Sequence, residues 1–247
     1  MGEGESGGGM EIIDSHTHWG PSVTMGIEVT TDEILSQAEE SGVNRIVIFP
    51  FPSMALADEE VNRKLLEEAN RVKKFIPYYY IPETMKPIPD GMGFFGGKWH
   101  WMRGVQDSAS NYKALEDPKL AEFIEASEKN DLPIVFEEEL AFTETFVKKT
   151  NHLKIIIPHL GMLGGNPIDF LQAFRERENV FFDTALSSSD MIMKFIEKIG
   201  TQRILFGSDI PFGTMKWELE KVLSLPIGDD RKEGILSKNL KRLIGLN

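Results

Sequence analysis

Eight short apolar runs, separated by helical patterns along most of the chain, constrain this sequence more than any single motif does. The strand candidates are 10–16, 45–50, 75–81, 99–106, 133–138, 154–159, 180–184 and 203–208. Helix signals lie between most of them. Thr30 with Glu33 reads as a capping box ahead of ILSQAEE, and Ser41-Gly42 stops that helix. Asp117-Pro118 and Asn166-Pro167 each set a capping side chain before a helix-starting proline. The stretches 57–74, 187–199 and 230–243 are amphipathic. Strands that alternate with helices pair in parallel through crossovers, so the expected fold is α/β, a (β/α)8 TIM barrel forming a single domain over 10–247. A doubly wound open sheet is the alternative. It usually carries a glycine-rich phosphate loop after its first strand, and here a His-x-His stands in that place.

Composition narrows the function classes. With 41% hydrophobic residues, the 247-residue chain can fill a sizeable core. The formal net charge is −12 and no Lys/Arg cluster interrupts it, which argues against a nucleic-acid partner. There is no cysteine, so disulfides and thiolate ligands are excluded. No apolar run approaches the roughly 18 to 20 residues that cross a bilayer. The opening MGEGESGGG lacks the basic start and apolar centre of a signal peptide and reads as a flexible leader over 1–9. A soluble, cytoplasmic protein is expected. The stretch 82–98, rich in Pro and Gly, reads as a long connection with little helix. Phe94, Phe95, Trp99 and Trp101 lie in or beside it, as ordinary packing or as an apolar lid or subunit contact.

Barrel active sites gather at the carboxyl ends of the strands. His16 and His18 end the first run, two residues apart, so that a strand projects both imidazoles to one face. The fifth run, LPIVFEEE, ends in Glu137, Glu138 and Glu139; the sixth, LKIIIPHLG, in His159; the eighth, RILFGSD, in Asp209. An ionisable group buried at such a place is costly unless paired or ligated. Each also has a plainer reading: a polar strand end for the His pair, a core histidine for His159, a turn starter for Asp209 and a solvated loop for the EEE run. Parity sets Glu137 and Glu139 on one face and Glu138 on the other, which favours Glu137 as a ligand. Asp14 shares the face of His16 and is a candidate hydrogen-bond partner behind it. Asp183 and Thr184 end the seventh run and could line the pocket. His100 and His152 read as loop or surface residues.

In IIDSHTH at 12–18, IIIPHLGMLGG at 155–165, LFGSDIPFG at 205–213 and the tail ILSKNLKRLIGL at 235–246, the chain resembles the metal-dependent amidohydrolase superfamily. It is most similar to the branch holding amidohydrolase-related hydrolases and aminocarboxymuconate-semialdehyde-type decarboxylases. That resemblance implies His16 and His18 as metal ligands. It makes Asp209 a ligand that also takes a proton from metal-bound water, and has His159 polarise the substrate or add a ligand. Two departures stand out. Relatives place a histidine after the L-P-hydrophobic phrase of the fifth strand, where this chain has Glu137. In some branches a carbamylated lysine on the fourth strand bridges two metals. Here that strand, WMRGVQDS, ends in Gln106 and Ser108 without a lysine, which disfavours a carbamate-bridged pair and favours one metal.

The implied cofactor is one divalent ion, zinc first and manganese or iron(II) as alternatives, since two His with carboxylates suit all three. The implied reaction is hydrolysis of a small-molecule amide, lactone or ester. The alternative is decarboxylation of a small unsaturated or aromatic acid, which the aromatic stretch 99–101 and Arg103 would suit; for either reaction Trp19, Trp101, Arg103 and Gln106 are the candidate substrate contacts. A barrel that has lost activity and serves as a binding or structural protein is the alternative of another class. Self-association into a homo-oligomer is the further expectation from the resemblance.

Overall fold

Apart from one register shift in the first strand, the strands of the ring alternate inward with outward residues, and the sequence supplies two different apolar sets for the two sides. The computed structural model of the chain describes residues 10–23, 25–51, 58–100 and 110–246. In chain order the elements are β1 (Ile13–Ser22), β2 (Ile27–Val29), α1 (Thr31–Ser41), β3 (Arg45–Pro50), α2 (Asp58–Arg71), β4 (Phe75–Pro77) and β5 (Tyr79–Tyr80). There follow β6 (Gly97–His100), α3 (Lys119–Lys129), β7 (Ile134–Glu137), α4 (Leu140–Lys148), β8 (Ile155–Ile157), α5 (Pro167–Phe174) and β9 (Val180–Asp183). The last are α6 (Ser189–Ile199), β10 (Ile204–Leu205), α7 (Met215–Leu223), α8 (Asp229–Glu233) and α9 (Asn239–Ile244). No helix among the described residues is long and apolar enough to cross a membrane.

Parallel ladders run β1-β3-β4 and β5-β6-β7-β8-β9-β10, with β2 added antiparallel at the end of β1. Single hydrogen bonds join these two sheets. At one seam Tyr78 N donates to Ile48 O (2.9 Å) and Tyr79 N to Gly96 O (2.8 Å), so 75–80 acts as one strand shared by both sheets. At the other, Ser15 N donates to Phe206 O (2.8 Å), Asp209 N to His16 O (2.8 Å) and His18 N to Ile210 O (3.0 Å). Eight strands thereby form the (β/α)8 barrel that the alternating pattern predicts.

Ile13, Val47, Phe49, Ile76, Tyr78, Val135, Ile156 and Leu205 fill the interior. Leu240 and Leu243 of α9 join them, and Leu243 O receives Lys154 Nζ beside the start of β8, so this helix plugs the amino-terminal end. Ile46, Ile48, Ile134, Phe136, Ile155, Phe182 and Phe206 face outward into the helical layer. Trp99 belongs to that layer, with ring centroids 5.2 Å from Phe136, 5.3 Å from Phe146 and 5.6 Å from Phe123. Each such aromatic pair adds about 0.5–1.5 kcal/mol beyond its burial. Trp99 is therefore packing and not a lid.

The capping signals hold at atomic level. Thr30 Oγ1 accepts from Glu33 N, Asn166 Oδ1 from Ile168 N, and Gly42 ends α1 in the left-handed region. Asp117 Oδ1 accepts from Lys119 N, starting α3. Two strand boundaries differ from the sequence expectation. β1 runs on to Ser22 and carries a register shift between Asp14 and Thr17, where its partners Ile46 and Ile48 are only two residues apart. β6 begins at Gly97, two residues ahead of the expected strand at 99–106. The candidates Trp101, Arg103 and Gln106, Ser108, and the leader 1–9, lie outside the described residues.

Candidate metal centre

Four of the five strand-end residues singled out above converge on one buried point. His16, His18, His159 and Asp209 are each no more than 6% exposed. Asp209 Oδ1 lies 3.2 Å from His16 Nε2 and 3.4 Å from His18 Nε2, and its Oδ2 lies 3.8 Å from His159 Nε2. Glu137 Oε1 approaches the same His159 nitrogen at 3.9 Å. Two sets of donors each cluster within 4.8 Å: His16, His18 and Asp209, and His16, Glu137 and His159.

Backbone devices deliver these side chains. The shift in β1 gives the strand an extra residue between Asp14 and Thr17, as a β-bulge does when it re-aims a side chain. Asp14 braces that distortion: it accepts from His16 N (3.0 Å), Ser208 N (2.9 Å), Thr17 Oγ1 (3.0 Å) and the Ser208 hydroxyl. Asp14 thus ties the His-x-His to the Gly-Ser-Asp segment through backbone and hydroxyls, and it does not bond the His16 ring. Asp209 and His159 both adopt left-handed backbone, with φ of 55° and 56°. Non-glycine residues pay about 1–3 kcal/mol for such conformations, which persist where the surroundings enforce them. Asp209 does start a turn, since Phe212 N and Gly213 N donate to its carbonyl, while its carboxylate faces the histidines.

The partner behind His16 is Asp183, at the end of β9. Its Oδ2 accepts from His16 Nδ1 at 2.8 Å, and its Oδ1 accepts from His159 N (2.9 Å) and Ala185 N (3.1 Å). Asp183 ends the apolar run VFFD as Asp209 ends RILFGSD, so the same sequence signal marked it. Gly207 makes the meeting possible, because a Cβ there would stand 3.0 Å from His16 Cβ and 3.3 Å from Asp183 Cγ. His159 Nδ1 donates to Ala185 O at 3.3 Å. Both rings are therefore tied at Nδ1, and in the neutral form each turns a bare Nε2 inward.

Such a site calls for a cation. With Nδ1 of His16 donating to Asp183, its Nε2 and the Asp209 Oδ1 are two acceptors facing one another. Both atoms are buried without a hydrogen-bond partner, although only 3.2 Å separates them. Without a metal the cation is a proton: burial and Lys98 would lower the His16 pKa, but Asp183 and Asp209 outweigh them and raise it to about 9. Burial brings His18 down to about 4. Asp209 stays below the usual carboxylate range; burial opposes this, and His16 and His18 overcome it. The bare nitrogens and the carboxylate oxygen form a donor set that fits a divalent ion.

Strand β6 supplies what the sequence reading lacked. Lys98 is fully buried and its Nζ lies 2.5 Å from Glu137 Oε2, while His100 Nδ1 lies 3.0 Å from the same oxygen. The fourth barrel strand therefore does carry an inward lysine, paired as an ammonium with a carboxylate. Glu137 is held well below the normal range: burial acts against this, but His100 and Lys98 prevail. His100, read as a surface residue, is part of the site. Glu138 turns the other way, accepting from Trp99 Nε1 (3.0 Å) and the Ser110 hydroxyl.

Trp19 is not brought to the cluster. Its Nε1 donates to Thr31 Oγ1 (3.0 Å), and it lines a separate groove of about 470 Å³ with Val61, Lys64 and Glu68 of α2. The aromatic surface at the site comes from elsewhere. Phe51 stacks on His18 (4.4 Å, 11°), and Phe212, half exposed, meets that imidazole edge-on at 5.9 Å.

Known proteins share this architecture. The 2,6-dihydroxybenzoate decarboxylase from Rhizobium superposes with a TM-score of 0.77 at 16% identity, over 96% of this chain and 99% of that one. An amidohydrolase from Burkholderia multivorans with bound zinc gives 0.78 at 13%, over 96% and 100%. A dihydroxybenzoic acid decarboxylase from Polaromonas with bound manganese and an inhibitor, 2-nitroresorcinol, gives 0.74 at 14%, over 95% and 97%. No curated protein matches by sequence. Residues 91–246 match the amidohydrolase family profile, which spans the β6 to α9 part of the barrel and with it Glu137, His159, Asp183 and Asp209. By that match, over more than half its length, the chain belongs to the amidohydrolase family.

Proposed function

We propose that the protein is a mononuclear metal-dependent hydrolase of a small molecule with a planar unsaturated centre, such as an amide, lactone or ester. The observation that carries this is the pair of orphaned buried acceptors, His16 Nε2 and Asp209 Oδ1. His16, His18 and Asp209 would hold the ion, with Glu137 as a further ligand through Oε1. A divalent ion so bound acts as a Lewis acid and lowers the pKa of its water from about 15.7 to about 7. Asp209 presents a second oxygen, Oδ2, as proton acceptor, and His159 offers Nε2 to polarise or protonate the substrate. Zinc is the favoured ion, with manganese and iron(II) as alternatives.

Decarboxylation of a small aromatic acid is the second reading, favoured by Phe51 and Phe212 beside His18, a flat surface for a ring. Two of the structural relatives named above decarboxylate dihydroxybenzoates. The test is direct. The metal-stripped chain is reloaded with Zn2+ or Mn2+ and offered a panel of lactones, esters and amides beside a panel of hydroxybenzoates. Acid release from the first supports hydrolysis, and carbon dioxide from the second supports decarboxylation. Failure to take up a stoichiometric divalent ion would overturn both and leave a binding protein.

A further inference from the structure

Lys98 and His100 have no part in the proposed chemistry, yet both lie against Glu137. The ladder explains how. His100 stands directly across from Glu137 and Lys98 across from Val135, so all three polar side chains share the interior face of adjacent strands. Lys98 is fully buried, its Nζ 2.5 Å from Glu137 Oε2 and 4.7 Å from the centroid of Phe49. An aromatic face under an ammonium attracts it and helps fix its position. His100 Nδ1 lies 3.0 Å from the same Oε2 without the alignment of a hydrogen bond, and the opposite oxygen, Oε1, faces His159 Nε2.

From this geometry we infer that Lys98, with His100 beside it, is a positioning residue for the metal: it clamps Oε2 of Glu137 so that Oε1 alone is presented to the ion. The inference rests on the reading of Glu137 as a ligand. Free rotation about its last bond would let an unclamped glutamate offer either oxygen, or both, or swing out of the cluster. The clamp also fixes how many ions the site takes. The two donor sets share His16, whose single inward nitrogen serves one ion, and the Lys98 ammonium stands where a second cation would meet Glu137 Oε2. At Oε2 the buried carboxylate of Glu137 is compensated by that ammonium, and at Oε1 it would meet the ion. A buried carboxylate that lost its ammonium would be left uncompensated.

A double-mutant cycle on the full chain tests this, read as Zn2+ affinity by competition with a chromophoric chelator after metal stripping. Lys98→Met is expected to weaken Zn2+ binding about tenfold, within the range typical of groups that orient metal ligands. In the Glu137→Gln background the same substitution is expected to change nothing, because Lys98 acts only through that carboxylate. Lys98→Arg should recover most of the loss. If Lys98→Met does not fold, His100→Asn takes its place in the cycle, with a smaller loss that likewise vanishes beside Glu137→Gln. Equal losses in both backgrounds, or an unchanged or stronger affinity in Lys98→Met, would overturn the inference. An unchanged affinity in Glu137→Gln alone would show instead that the ligand assignment had failed, and the clamp with it.

Discussion

Asp183→Asn is the sharpest perturbation the structure offers, because it changes one atom and forces a choice. The native carboxylate accepts three hydrogen bonds: from His16 Nδ1 through Oδ2, and from His159 N and Ala185 N through Oδ1. An asparagine has a single acceptor end. If its carbonyl keeps the two backbone donors, its NH2 points at His16 Nδ1, and the imidazole proton must move to Nε2. That proton then occupies the lone pair meant for the metal. If the amide flips, the lone pair is kept but two buried backbone donors face an NH2. Each lost bond is worth about 1–1.5 kcal/mol, so keeping the metal-competent tautomer costs about 2–3 kcal/mol. At about 1.4 kcal/mol per factor of ten, metal affinity should fall roughly 30- to 150-fold, in line with losses known for groups behind a ligating histidine. The assay is chelator competition for Zn2+ at pH 7.5, with a thermal melt in excess chelator to show that the variant still folds cooperatively. A folded Asp183→Asn that binds Zn2+ within threefold of the parent would refute the tautomer argument.

The remaining expectations are simpler. Gly207→Ala should reduce Zn2+ affinity at least tenfold, since its Cβ would meet His16 and Asp183 and push the pair apart; the same chelator competition reads it. Metal uptake should release a proton at neutral pH, because His16 is an imidazolium below about 9 in the metal-free protein; calorimetry in buffers of different ionisation enthalpy would count it. The raised His16 pKa also fixes a sign for stability. Metal-free protein holds that contribution fully below pH 6.5 and loses it as pH rises toward 9, so its melting temperature should fall across that window while the loaded protein's should not.

Much of this was legible in the sequence because parity and burial speak together at strand ends. His16, His18, His159 and Asp209 each close an apolar run, and a barrel brings such positions to one rim. What failed to read was local. Gly96-Gly97 looks like a loop, so the fourth strand was expected to start at Trp99. In the structure a Cβ on Gly96 would fall 2.7 Å from Pro133 O and 2.6 Å from the Tyr78 ring. The glycines are there to let strands approach, not to break one. Moving the strand start by two residues is what brings Lys98 and His100 into view. The face shared by Asp14 and His16 was a second casualty, because strict alternation fails across the register shift that aims the imidazole. Three-residue β2 pairs too briefly to leave a pattern.

Glu137, Asp183 and Asp209, three of the buried carboxylates among the described residues, show why the cluster at His16 and His18 calls for a metal. All are on inward positions and all carry a burial cost, but they are compensated differently. Asp183 has both oxygens bonded, to an imidazole and to two backbone amides. Glu137 has Oε2 bonded by the Lys98 ammonium, with His100 beside it. Asp209 alone keeps an oxygen that is buried without a hydrogen-bond partner among the described residues, and that oxygen faces the Nε2 atoms of His16 and His18. Asp209 is held at a φ of 55° with this oxygen opposite two imidazole nitrogens, where a proton on His16 compensates it in the metal-free protein and a bound divalent ion would do so in its place.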